Sequence, residues 1–257
     1  MRFRPAFRAL AFVLCGLAAA GPAAAQSLIL RPAVVPLAGQ TGQSVSQALT
    51  LQNDSDQPLD FVLEAKDVVV QDGKRVFVDA GKLADSIAAS AVFTPARVTV
   101  PPHASASVQA MFTLPAAMRH RAVAAYFRGT TPVRSGNRTA FMSLGTLFTF
   151  TISDRISVAA GTLQAEPPSG SANAQLRSRL VNDGSEPVVP SGMAVILDAQ
   201  GRMVGKAPFK QHRLLPGEAA TLVAEYPGEL GAGTYRAIAT FDIGGRPLTL
   251  SSPLNVQ

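Results

Sequence analysis

The chain has 257 residues, is 47% hydrophobic and 16% charged, and carries a formal net charge of +6. That balance describes an ordered globular chain rather than a disordered one. The single cysteine, Cys15, precludes a disulfide framework within the chain, and the mild positive charge gives no electrostatic case for a nucleic-acid partner.

The chain opens with Met1, Arg2, Phe3, Arg4 and Arg8, followed by an apolar run from Ala9 to Ala20 and by Ala23-Ala24-Ala25 before Gln26. A basic start, a short apolar stretch and small residues at the cleavage point are the features of a secretory signal peptide. The run is shorter than the about 20 residues a membrane span needs. Cys15 follows bulky Leu14, which argues against a lipoprotein cleavage site. Cleavage after Ala25 removes three arginines and Cys15, leaving 20 basic against 17 acidic residues, a net charge of +3. The mature chain is expected to contain no membrane span.

An internal repeat organises the remainder. Leu51-Gln52-Asn53-Asp54-Ser55-Asp56-Gln57-Pro58 parallels Leu180-Val181-Asn182-Asp183-Gly184-Ser185-Glu186-Pro187. Pro102-His103-Ala104 parallels Pro216-Gly217-Glu218, and Arg121 to Tyr126 parallels Arg236 to Phe241. Three landmarks in one order indicate two copies of one domain. Their boundaries are expected at 26–155 and 156–257.

Each copy reads as strands. Leu59, Phe61, Leu63 and Ala65 alternate with Asp60, Val62, Glu64 and Lys66, and Val108, Ala110, Phe112 and Leu114 with Gln109, Met111 and Thr113. Between Val68-Val69-Val70 and Val76-Phe77-Val78 stands Asp72-Gly73, a hairpin turn. A short helix is expected around Lys82 to Ala89. In the second copy Ala174, Leu176, Ser178 and Leu180 alternate, and so do Met193, Val195 and Leu197. Period-two alternation buries one face of each strand. Gly231-Ala232-Gly233-Thr234-Tyr235 reads as a tyrosine corner. The fold class is therefore all-β, two tandem immunoglobulin-like sandwiches after a cleavable signal peptide.

Chemistry is sparse. His103, His120 and His212 stand apart without metal-ligand spacing, and no nucleophile elbow or phosphate loop occurs. Asp54, Asp56 and Asp183 fall in turns, where side-chain-to-backbone bonds account for them. Asn53-Asp54-Ser55 and Asn137-Arg138-Thr139 are formal glycosylation sequons. The reading is a protein that is not an enzyme, with no metal and no cofactor. The informative stretch is Thr139 to Ile152, in which Ala140, Met142 and Leu144 alternate with Phe141, Ser143 and Gly145. It is long for one strand, and a long apolar edge invites pairing with another chain.

The order of Leu49 to Asp54, Pro95 to Pro101, Ser105 to Val108, Ala125-Tyr126-Phe127-Arg128 and the strand from Ala140 resembles the periplasmic pilus-assembly chaperones of the PapD-like superfamily. The resemblance implies a periplasmic protein that binds a secreted, pilin-like subunit by strand addition at the last strand of domain one. Carried over by position, Ala140, Met142 and Leu144 are the donor-strand candidates, and Arg31 is the candidate anchor for a subunit carboxylate. Thr149 stands near the position of the family's cleft lysine, and Ile152-Ser153-Asp154 replaces its aromatic-Arg-Pro. The alternative is a non-catalytic envelope or surface module whose domains act as spacers or adhesive units.

Overall fold

The computed structural model describes residues 28–135 and 138–257. The signal-peptide reading (1–25) and Asn137 lie outside the described residues. In chain order the strands of the first half are β1 (Leu28–Arg31), β2 (Val34–Ala38), β3 (Ser44–Asn53), β4 (Leu59–Gln71), β5 (Lys74–Asp79), β6 (Val92–Thr94), β7 (Arg97–Val100), β8 (Ala104–Thr113), β9 (Ala122–Ser135) and β10 (Arg138–Thr151). The second half supplies β11 (Val158–Ala160), β12 (Gln164–Glu166), β13 (Ala174–Asn182), β14 (Ser191–Leu197), β15 (Met203–Pro208), β16 (Ala219–Tyr226), β17 (Gly233–Ile243) and β18 (Arg246–Val256).

In the first half one sheet runs β1-β3-β8-β6 and the other β2-β10-β9-β4-β5, with β7 also on β4. In the second half β13 has β11 and β12 on one side and β16 on the other, and the facing sheet runs β15-β14-β17-β18. The molecule is thus all-β, built as two immunoglobulin-like sandwiches, and no named strand of one half pairs with a named strand of the other. Each sandwich has its own core. In the first, Phe112 meets Phe148 and Phe150 at ring separations of 4.8 and 6.0 Å. In the second, Phe209 and Phe241 stand 4.6 Å apart.

The alternation read from sequence gives the buried rows of β4, β8 and β13: Leu59, Phe61 and Leu63; Val108, Ala110 and Phe112; Ala174, Leu176, Ser178 and Leu180. Asp72 (φ 51°) and Gly73 (φ 74°) close the β4–β5 hairpin in the left-handed pair that such a turn requires. The Tyr235 hydroxyl donates to the Gly231 carbonyl at 2.9 Å and makes the tyrosine corner.

Two expectations need correction. In β14 the core row is Ala194 and Ile196, with Met193 42% exposed. A Cβ on Gly192 would lie 2.4 Å from the Phe241 ring. The Phe209–Phe241 pair therefore admits only the small row of this strand and turns the bulkier one outward. The helix expected over Lys82 to Ala89 is only a 3-10 turn, Ala88–Ser90. Buried Asp67 explains it. Its carboxylate accepts the N–H groups of Ile87 and Ala88, both at 2.9 Å, and the Ser86 hydroxyl at 2.5 Å. A side chain thus takes the bonds a helix would have made for itself.

Candidate functional site

β10 is paired along nearly its whole length on one side and only in part on the other. Toward β9 the ladder runs from Arg138↔Ser135 to Thr149↔Ala122. It shifts between Phe141 and Ser143, where Gly129-Thr130-Thr131 of β9 lie opposite Met142. A Cβ on Gly129 would fall 2.2 Å from the Met142 carbonyl, so the close approach at this irregularity needs glycine. The shift is of two residues, which preserves the alternation of β10. Toward the other side, β2 pairs in parallel only from Leu147↔Val34 to Thr151↔Ala38. The Leu147 N–H donates to the Ala33 carbonyl at 3.0 Å and the Thr146 hydroxyl to the Pro32 carbonyl at 2.8 Å. Upstream of Thr146, among the described residues, no strand pairs with this side of β10.

The inward row of β10 emerges gradually from the sandwich. Phe150, Phe148 and Thr146 are buried, Leu144 is half-buried and packs on the domain's own core, Met142 is half-buried, and Ala140 is exposed. The three donor candidates therefore continue a core row beyond the end of its core. On the opposite face Phe141 is 62% exposed, and Ser143 and Gly145 are exposed.

Most other sheet edges carry features that discourage pairing. β18 bears Pro247 and Pro253, and β15 bears Lys206 and Pro208. β5 carries Lys74, Arg75 and Asp79, whereas β1 and β6 have only 4 and 3 residues. The open part of β10 contains no proline, and its one charged residue, Arg138, is at its start.

Arg31 is exposed at the end of β1, opposite Thr50, and its side chain makes no hydrogen bond or ion pair among the described residues. It precedes the segment Pro32 to Val34 at which β2 closes the edge. Thr149 is 1% exposed and stands between Ala122 and Pro36 on its neighbouring strands.

Sequence reading missed the contact between the halves. Glu186 is fully buried and accepts from Arg121 Nε at 3.3 Å, the Ile152 N–H at 3.1 Å and the Ser153 hydroxyl at 2.6 Å. Glu218 accepts a hydrogen bond from Arg75 Nη2 at 3.0 Å, with Arg75 Nε 2.9 Å from its other oxygen in the same ion pair, while Nη2 also donates to the Arg213 carbonyl. Between these pairs Leu215 packs on Val68, Ala122 and Ala124, with Tyr126 and Leu147 at the margin. The signal was present in the repeat: Glu186 stands where the first copy has Gln57, and Glu218 where it has Ala104, so at these two landmarks the second copy has a carboxylate that the first lacks.

The histidines do not converge. His103 bonds Asp56 at 2.9 Å in solvent, His120 lies 3.9 Å from Asp85, and His212 lies 3.7 Å from Glu218. Among the described residues no group of three or more His, Cys, Asp or Glu could hold a metal ion, and no helix is long and apolar enough to cross a membrane. Burial raises the Tyr126 phenol above its ordinary pKa, with Lys66 opposing the shift.

No protein-family model matches the chain and no curated protein does. Solved structures that it resembles include fimbrial chaperones. The class 5 fimbriae chaperone CfaA aligns at a TM-score of 0.47 and 12% identity, covering 88% of this chain and 99% of that one. The Pseudomonas aeruginosa CupB2 chaperone aligns at 0.43 and 13%, covering 88% and 100%, and the E. coli chaperone DraB at 0.43 and 18%, covering 89% and 98%. At these identities and TM-scores the likeness carries neither a partner nor site residues to this chain.

Proposed function

We propose that this is an exported, chaperone-like binding protein that captures an extended segment of a secreted subunit by strand addition at the open edge of β10. Its two sandwiches span 26–155 and 156–257. One observation carries the reading: among the described residues the 138–146 side of β10 is long, proline-free and unpaired, whereas most other sheet edges are short, charged or proline-bearing. Exported proteins that must remain monomeric blunt such an edge. Strand addition uses it, with main-chain hydrogen bonds for affinity and alternate side chains for selectivity. On this reading Ala140 and Met142 offer their row to the subunit, Leu144 joins that row to the protein's own core, and Arg31 sits where an incoming strand must end against Pro32.

The test places a photo-crosslinking p-benzoylphenylalanine at Met142, and in a second variant at Ser251 on the proline-bearing β18 edge, in the full chain expressed in its native host. A discrete exported protein crosslinked from position 142 and not from 251 is the expected result. Absence of adducts from 142, or equal adducts from both, would return the protein to the spacer-module reading.

A further inference from the structure

The outward face of the open edge contains a glycine that neither its backbone nor its surroundings require. Gly145 is exposed in mid-strand, and its φ lies outside the left-handed region. A Cβ there would meet the Ala125 carbonyl and the Tyr126 ring at 3.5 Å, which is ordinary contact. Glycine inside a strand weakens it, and it marks a place where another group approaches closely.

The missing side chain leaves the Tyr126 ring uncovered. Gly145 and Tyr126 are direct cross-strand partners. Tyr126 is half-buried and meets Phe77 edge-on at 5.7 Å, and Phe77 is 49% exposed. Tyr126 and Leu147 also border the cluster that Leu215 completes from the second half. An aromatic surface thus continues the contact between the halves outward to the open edge. A strand added outside β10 would lie about 4.8 Å from it and about twice that from β9. Across a glycine, a large side chain spans that distance. Across any residue with a branched side chain, it is blocked.

We propose that Gly145 and Tyr126 form a side-chain socket on the open edge. A strand captured there, on the reading above, places a large apolar or aromatic residue opposite Gly145, in contact with the Tyr126 ring. The socket sets the register of the captured strand.

The test uses synthetic peptides of about eight residues, matched to the edge, with alternating valine and threonine. Phenylalanine replaces one threonine at a time, and binding to the full chain is read by fluorescence anisotropy. One phenylalanine position is expected to bind about 3- to 10-fold more tightly than the parent peptide, the range of an added aromatic contact. Gly145→Val, which the available space and the strand preference of valine both permit, should lose the gain, so that the phenylalanine peptide binds it no more tightly than the parent peptide does. Gly145→Ala should lose part of it. Equal binding of all peptides by the wild type, or a favoured position that survives in both variants, overturns the socket alone. Failure of the wild type to bind any peptide overturns strand capture and the socket with it.

Discussion

Asn53 and Asn182 make three equivalent side-chain hydrogen bonds in the two halves. Asn53 Nδ2 donates to the carbonyls of Gln57 at 2.8 Å and Val100 at 3.1 Å, while its oxygen accepts the Ser55 N–H at 3.0 Å. Asn182 Nδ2 donates to the carbonyls of Glu186 at 2.8 Å and Leu214 at 3.0 Å, and its oxygen accepts the Gly184 N–H at 3.0 Å. Both side chains are fully buried. Each closes its own turn and ties it to the strand or loop that precedes the next landmark, which gives the repeat its physical meaning. It also leaves the Asn53 amide with no exposure for a glycan, whatever the sequon.

Asn182→Ala and Asn53→Ala should each destabilise the chain by about 2–3 kcal/mol, because each strands several buried carbonyl or amide groups. Urea unfolding followed by circular dichroism checks this. Replacement by aspartate, which keeps the acceptor and loses both donors, should cost at least as much. A change within about 0.5 kcal/mol, ordinary for a surface site, would show that the network carries no stability.

The Arg121–Glu186 pair should behave as a buried ion pair that joins two bodies. Arg121→Met leaves Glu186 charged and buried, an arrangement that costs about 3–5 kcal/mol. The double variant Arg121→Met, Glu186→Leu should recover a large part of that loss, since a well-packed apolar pair replaces a buried ionic one at little cost. Denaturant titrations of the single and double variants measure the coupling. The exposed Arg128–Glu64 pair, 2.6 Å apart, is the control and should change stability by less than about 1 kcal/mol.

Met142 and Leu144 should separate although they share a row. Leu144 packs on the core of the first sandwich, so Leu144→Asp should destabilise it by about 2 kcal/mol or more. Met142 lies beyond that core, so Met142→Asp should leave the unfolding free energy within about 0.5 kcal/mol of wild type. It should nonetheless weaken binding of the valine–threonine peptide by about tenfold. A stable Met142→Asp variant with unchanged peptide affinity would show that this row is not offered to a partner.

Asp85 predicts a dependence on acid. Burial alone would raise its pKa, but the Arg119 and His120 N–H groups, at 2.7 and 3.3 Å, outweigh that and hold it below the ordinary value of 3.8. A carboxyl depressed on folding contributes stability above its unfolded pKa and loses it as pH falls through the folded one. Asp85→Asn should therefore cost about 1 kcal/mol near neutral pH, the worth of a typical hydrogen bond, and the difference should shrink below about pH 4. Thermal unfolding of both proteins between pH 7 and pH 3 measures it.

The sequence by itself determined the class of fold, the duplication and much of the local detail. Alternation along β8 and β13, the Asp72-Gly73 turn and the Tyr235 corner depend on neighbours a few residues away, and period two is visible in any one strand. It misjudged β14, because which row turns inward depends on Phe209 and Phe241 from other strands, and it misjudged the segment before Ala88, because Asp67 competes for that backbone from a distant strand. The site divides in the same way. Ala140, Met142 and Leu144 were legible as one alternating row. That the edge beside them is open follows from β2 meeting β10 only from Leu147 onward, a pairing between residues more than a hundred positions apart in the chain. The seating of Glu186 and Glu218 on the first half is likewise decided by how two finished sandwiches meet. Side-chain periodicity is a local property of the strand, whereas the identity of the unpaired edge belongs to the assembled sheet, and only the tertiary structure contains it.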